Sequence, residues 1–152
     1  MQVHDSQIGK IEFKNIFIKK ETNIIFFKIK KLYDTELRPK CMKQIKNDVF
    51  KLYKNLYKTK TKFIQIYDLT ETDMYTAIND IMFVRDYGNF LQENVETIIK
   101  ECCYGTSILV NSEIIKGIAN ASLLLYRHVT PTQVHTHIDD SYEWLGKIVD
   151  KT

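Results

Sequence analysis

Two closely spaced histidines near the end of the chain are the first residues whose type and spacing invite a chemical interpretation. His135 and His137 lie two apart in the run TPTQVHTHI, and residues two apart in a strand share one face of a sheet. Two imidazoles on one face could contribute to a metal site. Spacing alone is weak evidence, because a metal site also needs groups that orient each ring. His135 and His137 are therefore weak metal candidates, and we expect no cofactor.

Sequence motifs for nucleophilic catalysis and phosphate binding do not occur in the chain. GxSxG, GxGxxG and GxxxxGK[ST] are all missing, and no histidine lies close in sequence to Cys102 or Cys103 to activate a thiol. Asp139 and Asp140 form an acidic pair, but adjacent side chains diverge, and acids before a helix are explained by the helix dipole. The sequence predicts no catalytic residue and favours a binding protein over an enzyme.

A second set of polar side chains follows two predicted strands at the point where each strand ends. Asp68, Thr70 and Thr72 follow the apolar run FIQIY, and Asn111 and Ser112 follow SILV. Ligands of open α/β sheets bind outside the carboxyl ends of the strands, so we expect these five residues to form a partner- or ligand-binding edge. The alternative is that Thr72 and Ser112 only cap their helices.

The elements that must position these residues follow from hydrophobic periodicity and turn signals. Alternating apolar residues predict an N-terminal hairpin with its turn at ETN, residues 21–23, and a break in the long helix is expected near Gly88. Asp139 or Asp140 is expected to cap the last helix. The predicted strands cover 9–19, 24–33, 62–69, 106–111 and 130–138, and the predicted helices cover 39–56, 73–102, 113–126 and 141–151.

The predicted order is β-β-α-β-α-β-α-β-α, which indicates an α/β fold with a mixed sheet. Regular strand and helix alternation implies parallel pairing in the second half, whereas the hairpin is antiparallel. At 152 residues the chain has the length of one domain, and we expect a single domain over 1–152.

Charge and composition bear on the class of partner. The formal net charge is only +3, and three of the 22 basic residues are arginine; because phosphate and base recognition usually draws on arginine, nucleic acid is not an expected partner. Tyr53 and Tyr57 on the lysine-rich first helix leave one alternative, a surface for nucleic acid or an anionic membrane. The second alternative is that these tyrosines pack against the sheet.

Localisation is predicted from the same composition. No run approaches the roughly 20 apolar residues of a membrane span, and the first residues do not resemble a signal peptide. The three cysteines, Cys41, Cys102 and Cys103, show no CxxC spacing and are expected to be reduced thiols. We expect a soluble, cytoplasmic protein.

The order of elements and three motifs resemble STAS-like domains, the anti-sigma factor antagonist or SpoIIAA-like group with its CRAL-TRIO-like single-domain relatives. The motifs are FIQIYDLTET, SILVNSEIIKGI and TPTQVHTHIDDSYEWL, and the resemblance covers residues 11–149. It implies a small module that docks onto a protein partner. In some members of the group, a phosphorylated Ser or Thr controls the docking, and other members are associated with a nucleotide or lipid. Thr70 and Thr72 match the phosphorylated segment, although DLTETDMYTA lacks the Asp-Ser-Ser-Gly of that pattern.

The functional hypothesis is therefore a non-enzymatic protein-binding, regulatory or assembly module of STAS-like type. The first alternative is a carrier that holds a nucleotide or lipid between the sheet and the helices at 74–102 and 113–126. The second is a metal-dependent enzyme that uses His135 and His137. Self-association is also open, because the small residues Gly117, Ala119, Ala121 and Ser122 could admit a close helix neighbour.

Overall fold

The computed structural model describes residues 1–30, 38–73, 76–124 and 128–151, which form an α/β fold with a six-stranded mixed sheet and four helices. The class and the mixed sheet agree with the sequence prediction, but the observed order has one more strand at the start. The elements are β1 (Gln2–Asp5), β2 (Gly9–Ile18), β3 (Lys20–Ile29), α1 (Arg38–Lys58), β4 (Phe63–Asp68), α2 (Ala77–Cys102), β5 (Cys103–Leu109), α3 (Glu113–Leu123), β6 (Thr132–His135) and α4 (Ile138–Asp150).

The strands lie side by side in chain order, from β1 to β6. β1, β2 and β3 pair antiparallel, and each of the next three strands pairs parallel with the one before it. A helix connects each parallel pair, and right-handed crossovers that advance in one direction put their helices on the same face of a sheet. The sheet therefore carries α1, α2 and α3 on one face.

The two faces of the sheet have separate apolar clusters. On the first face the three crossover helices contribute residues such as Ile45, Leu91 and Ile115 to one large cluster. On the second face α4 packs Leu145 and Val149 against a smaller cluster that the middle strands provide. Because helices cover β4 on both sides, all six of its residues are buried, which explains why Gln65 is the only polar residue before the final aspartate.

Strand β1 is missing from the sequence prediction. Its four residues are too few to show an alternation, and a polar contact anchors the strand. His4 is 3% exposed, its Nδ1 lies 2.7 Å from Asp48 Oδ2 of α1 and its Nε2 lies 2.8 Å from Ser6 Oγ. A buried histidine that bonds a helix carries no periodic signal, so the pattern missed it.

The hairpin turn is at Lys19, and the predicted turn at residues 21–23 is wrong. Lys19 has a φ of 62°, in the left-handed region that a lysine rarely adopts, and Ile18 pairs with Lys20 across it. Asn23 lies within β3, where its Oδ1 accepts a hydrogen bond of 3.0 Å from Asn15 Nδ2 across the strands. The polar residues that suggested a turn belong to the polar end of strand β3. Residues 31–33 of the predicted strand lie outside the described residues.

Helix α2 begins later than predicted and does not break at Gly88. Asp73 and Thr76 exchange hydrogen bonds ahead of the helix, with Asp73 Oδ1 accepting from Thr76 N at 3.0 Å. Tyr87 and Leu91 are buried on either side of Gly88, and their packing offsets the roughly 1 kcal/mol that a glycine costs in a helix. The non-helical residue is Val95, with φ −135° and ψ 25°.

The other boundaries differ by a few residues. β5 begins at Cys103, three residues before its predicted start, and β6 is limited to Thr132–His135. α4 begins at Ile138 with His137 at the cap position. Asp139 and Asp140 therefore lie inside its first turn instead of capping it. Residues 125–127, part of which was predicted as the end of α3, lie outside the described residues.

Candidate functional site

At the end of β4, the side chain of Asp68 forms hydrogen bonds with the loop that follows the strand. Asp68 Oδ1 accepts hydrogen bonds from the backbone N of Thr70 at 2.8 Å and from its hydroxyl Oγ1 at 2.6 Å. This is the local turn that an aspartate forms with the residue two positions later. Asp68 is 9% exposed and Thr70 is half-buried, so the carboxylate is held rigidly at the carboxyl edge of the sheet.

Asn111 joins the ends of β4 and β5. Its side-chain Nδ2 donates to the carbonyl oxygens of Thr70 at 2.9 Å and Thr72 at 2.7 Å, while the backbone N of Leu69 donates to Leu109 O at 2.8 Å. One exposed amide thus fixes the loop after the neighbouring strand. The structure brings Asp68, Thr70, Thr72 and Asn111 together at one edge.

Thr72 and Ser112 have different roles, although the sequence suggests helix capping for both. Ser112 caps α3, and its Oγ accepts from Ile115 N at 3.2 Å. Thr72 does not cap α2, which has Thr76 at its cap position. The Thr72 hydroxyl instead donates to Asp80 Oδ2 at 2.6 Å in the protein interior. Capping is confirmed for Ser112 and is wrong for Thr72.

A groove opens beside this edge, between α4 and the face of the sheet that α4 only partly covers. Its volume is about 380 Å³. Asp68 and Thr70 belong to both the strand-end edge and the groove. We call it the α4 groove, and its lining residues are Lys14, Ile16, Ile24, Phe26, Asp68, Thr70, Leu109, Ile138 and Tyr142.

A smaller cavity lies on the other face, where the sequence predicts a carrier pocket between the sheet and the helices. Its water-accessible volume is about 60 Å³, and Gln65, Thr106 and His128 are among its polar lining residues. Pockets for drug-sized ligands run from about 300 to 1,000 Å³. The cavity in this conformation has room for a few water molecules and is too small for a nucleotide or a lipid.

His135 and His137 do not converge. His135 is buried at the end of β6, and His137 is exposed at the start of α4. His135 Nδ1 lies 2.8 Å from Ser107 Oγ, which lies 2.6 Å from Ser141 Oγ. Burial and the nearby charge of Lys116 lower the pKa of His135. In residues 1–30, 38–73, 76–124 and 128–151, no group of three or more His, Cys, Asp or Glu side chains could hold a metal ion.

The network of Ser107, His135 and Ser141 has the residue types of nucleophilic catalysis, but a substrate has no access to it. Ser107 and Ser141 are 0% exposed, so a substrate cannot contact either hydroxyl in this conformation. The network joins β5, β6 and α4 through hydrogen bonds beneath the helix. Sequence reasoning missed it, because the three residues are far apart in the chain and only the sheet register brings them together.

The thiols are also unsuited to reaction. Cys102 and Cys103 are buried, and burial is the largest cause that raises the pKa of each. Cys41 is half-buried. Of the two helix tyrosines, Tyr53 is fully buried against Phe63, with ring centroids 5.5 Å apart, and Tyr57 is 42% exposed. Only Tyr57 remains available to the lysine-rich surface.

Comparison of the chain with protein-family models, curated proteins and solved structures finds no match. In the part of the chain that the structure describes, no helix has the length and apolar character needed to cross a membrane. Any functional assignment must therefore start from the geometry of the edge and the groove.

Proposed function

We propose that the protein is a non-enzymatic protein-binding, regulatory or assembly module of the STAS-like type. Its partner docks on the strand-end edge, to which Asp68, Thr70, Asn111 and Ser112 contribute side chains, while the buried side chain of Thr72 anchors the same loop through Asp80. The observation that carries the proposal is the Asn111 amide, which bonds two carbonyl oxygens of the neighbouring loop. An edge fixed in this way loses little conformational freedom when a partner binds, which favours affinity.

The hydrogen-bond pattern of the edge also supports docking over chemistry. The hydroxyls of Thr70 and Thr72 already donate to carboxylates, and Ser112 Oγ accepts from the backbone of its own helix. A nucleophile needs a base that accepts its proton and stands within reach of a substrate. Here the acceptors are the carboxylates of Asp68 and Asp80, both mostly buried.

A substitution at Ser112 tests the edge without removing the helix cap. Asp is as good a cap as Ser, so Ser112→Asp keeps α3 and adds a negative charge at the edge. Thr61→Asp is the matched control, because Thr61 precedes β4 at the opposite end of that strand. We expect native mass spectrometry of gently purified protein to show a partner protein on the wild type and on Thr61→Asp, but not on Ser112→Asp.

Three other results would count against this function. A partner that stays on Ser112→Asp places the contact elsewhere, and a bare monomer of the wild type removes the evidence for a partner. A small-molecule mass that is lost on denaturation supports the carrier alternative. For that alternative, the 380 Å³ α4 groove is a better site than the 60 Å³ cavity on the other face.

Self-association is the form of assembly that α3 suggests. The predicted small residues do not share one face, since Ala119 is buried while Gly117 and Ala121 are exposed. Gly117 and Ala121 lie at helical spacing with two exposed apolar residues, Ile114 at 66% and Leu124 at 86%. In the same spectra, a dimer mass that Ser112→Asp does not change would exclude Ser112 from the contact between copies and leave this face of α3 as the candidate.

A further inference from the structure

The carboxylate of Asp68 is the charged group in the α4 groove whose bonding is incomplete. Both of its hydrogen bonds, from Thr70 N and Thr70 Oγ1, go to Oδ1. Its second oxygen, Oδ2, has no hydrogen-bond partner among the described residues, although Asp68 is 9% exposed and lines the groove. Because Oδ2 is not among the buried polar atoms without a partner, it is open to the groove and can accept a hydrogen bond from a donor or a cation there.

Two lysines on this face of the sheet, Lys14 and Lys28, already have acidic partners. Lys14 Nζ lies 3.6 Å from Glu12 Oε2 and Lys28 Nζ lies 3.2 Å from Glu71 Oε1. Asp68 pairs in register with Lys28 on the neighbouring strand, yet within the described ranges no ion pair reaches its carboxylate. The negative charge at this end of the groove is therefore unmatched.

The rest of the lining suits the body of an organic cation. Ile16, Ile24 and Leu109 give the groove apolar surface, and Phe26 and Tyr142 add aromatic rings. Ring faces attract cations, and Lys14 Nζ already lies 5.1 Å from the centre of the Phe26 ring.

The charge near Tyr142 has the same sign as Asp68. Burial is the largest cause that raises the pKa of the Tyr142 hydroxyl, and the neighbouring carboxylate of Asp139 is the second. A second carboxylate therefore lies close to this wall of the groove. An anionic ligand such as a nucleotide phosphate is disfavoured at this end.

We propose that the α4 groove binds a small organic cation, a primary ammonium or guanidinium group on an apolar or aromatic body. The cationic group donates to Asp68 Oδ2, and the body lies against Ile24, Phe26 and Tyr142. A volume of about 380 Å³ falls in the range of small-molecule sites. The proposal goes beyond the protein-docking function, and Ser112, which tests that function, does not line the groove.

A matched series of probes tests the charge requirement. The ¹⁵N-labelled full chain is titrated with 2-phenylethylamine, with 2-phenylethanol and with phenylacetate, which share the aromatic body and differ in charge. We expect the amine to shift the amide resonances of Asp68, Thr70 and Tyr142 and to bind about tenfold more tightly than the alcohol, because a charge-assisted hydrogen bond is roughly twice as strong as a neutral one.

Three variants assign the effect to Asp68. Asp68→Asn keeps the Oδ1 acceptor for Thr70 but removes the charge, and it should lower the affinity for the amine to that for the alcohol. Lys28→Gln removes the nearest positive neighbour on β3 and should raise the affinity. Asp150→Asn is the control, since it removes an exposed acid at the far end of α4 and should change nothing in the groove.

Several outcomes would overturn the proposal. Equal binding of amine and alcohol would make the groove an apolar site without charge recognition. Preference for phenylacetate would assign recognition to Lys14, and shifts confined to other residues would place the ligand elsewhere. If Asp68→Asn does not give a folded spectrum, the comparison of amine with alcohol on the wild type still decides the question.

Discussion

The hydroxyl of Thr72 donates a 2.6 Å hydrogen bond to Asp80 Oδ2, and both residues are 1% exposed. The bond fastens the loop after β4 to the first turn of α2. Thr70, two residues earlier, is half-buried and bonds the carboxylate of Asp68 instead. Of the two threonines, Thr70 is thus the more accessible to a modifying enzyme.

Replacing Thr72 by valine should lower the stability of the protein. Valine keeps the volume but leaves a buried carboxylate without this donor, which costs about 1.5 to 3 kcal/mol. Urea unfolding followed by circular dichroism measures the change in the free energy of unfolding. Thr97→Val is the control at an exposed threonine of α2, with an expected change within about 0.5 kcal/mol. Equal losses in the two variants would contradict the assigned role of Thr72.

Two glycines in helices should respond in opposite directions to alanine. At Gly117 in α3, an added Cβ meets no atom within 4 Å, so Gly117→Ala should stabilise the protein by about 0.5 to 1 kcal/mol. At Gly146 in α4, the Cβ would lie 3.0 Å from Ile18 Cγ2. There α4 approaches the end of β2, and the clash should offset the gain.

Thermal unfolding of both variants checks this contrast. We expect the melting temperature of Gly117→Ala to rise and that of Gly146→Ala to fall. A rise in both would mean that α4 can move away from the hairpin without cost. If the exposed face of α3 joins two copies of the chain, Gly117→Ala should also weaken the dimer, which light scattering would detect.

The sequence predicted the bounds of β2 and β4 to within one residue, placed the start of β3 four residues late and missed β1. β4 is buried on both faces, so four of its six residues are apolar and its bounds were predicted to within one residue. The hairpin turn was misplaced because Lys19, a residue type with no turn preference, adopts the left-handed conformation. β1 depends on the contact of His4 with Asp48, which is 44 residues away in the chain and leaves no local pattern.

The candidate site shows the same limit. The adjacency of Asp68, Thr70 and Asn111 followed from a general property of parallel sheets, the meeting of strand ends at one edge. The groove beside them could not be predicted. It requires Lys14 and Phe26 from the hairpin and Tyr142 from α4, and their proximity depends on the register between β2 and β3 and on the face that α4 covers.

The three cysteines should differ in reaction with iodoacetamide. Because the thiolate is the reactive form, burial that raises the pKa of Cys102 and Cys103 should slow both. Cys41 is half-buried and should be alkylated first at pH 7.5, as measured by peptide mass spectrometry. In urea all three should react at similar rates. Fast alkylation of Cys103 in the folded protein would contradict the buried environment.

The stability of the fold should fall as the pH drops below about 6.5, the ordinary pKa of histidine. Burial lowers the pKa of both His128 and His135, so the unfolded chain binds more protons than the folded chain between the lowered pKa and 6.5. Stability rises with pH wherever the unfolded state binds more protons. The loss therefore develops from pH 6.5 downward and levels off below the lowered pKa values.

Substitution of His135 isolates its share of this loss. The ring bonds Ser107 of β5, which in turn bonds Ser141 of α4, and it lies beside the ring of Trp144. Lys116 disfavours its protonation, whereas Asp140 favours it. Glutamine can still bond Ser107 but does not titrate, so His135→Gln should lose less free energy of unfolding than the wild type between pH 7.5 and 5.5.

The exposed neighbour His137 provides the matched control. His137→Gln makes the same change at a histidine whose side chain is exposed at the start of α4, outside the buried network, and should not reproduce the effect of His135→Gln. Urea unfolding of the wild type and of each variant at pH 7.5 and 5.5 gives the free energies of unfolding that are compared. If His135→Gln and His137→Gln reduce the loss equally, or if neither does, the buried network around His135 is not what resists protonation. A loss smaller only in His135→Gln would show that α4 and β6 hold this imidazole neutral.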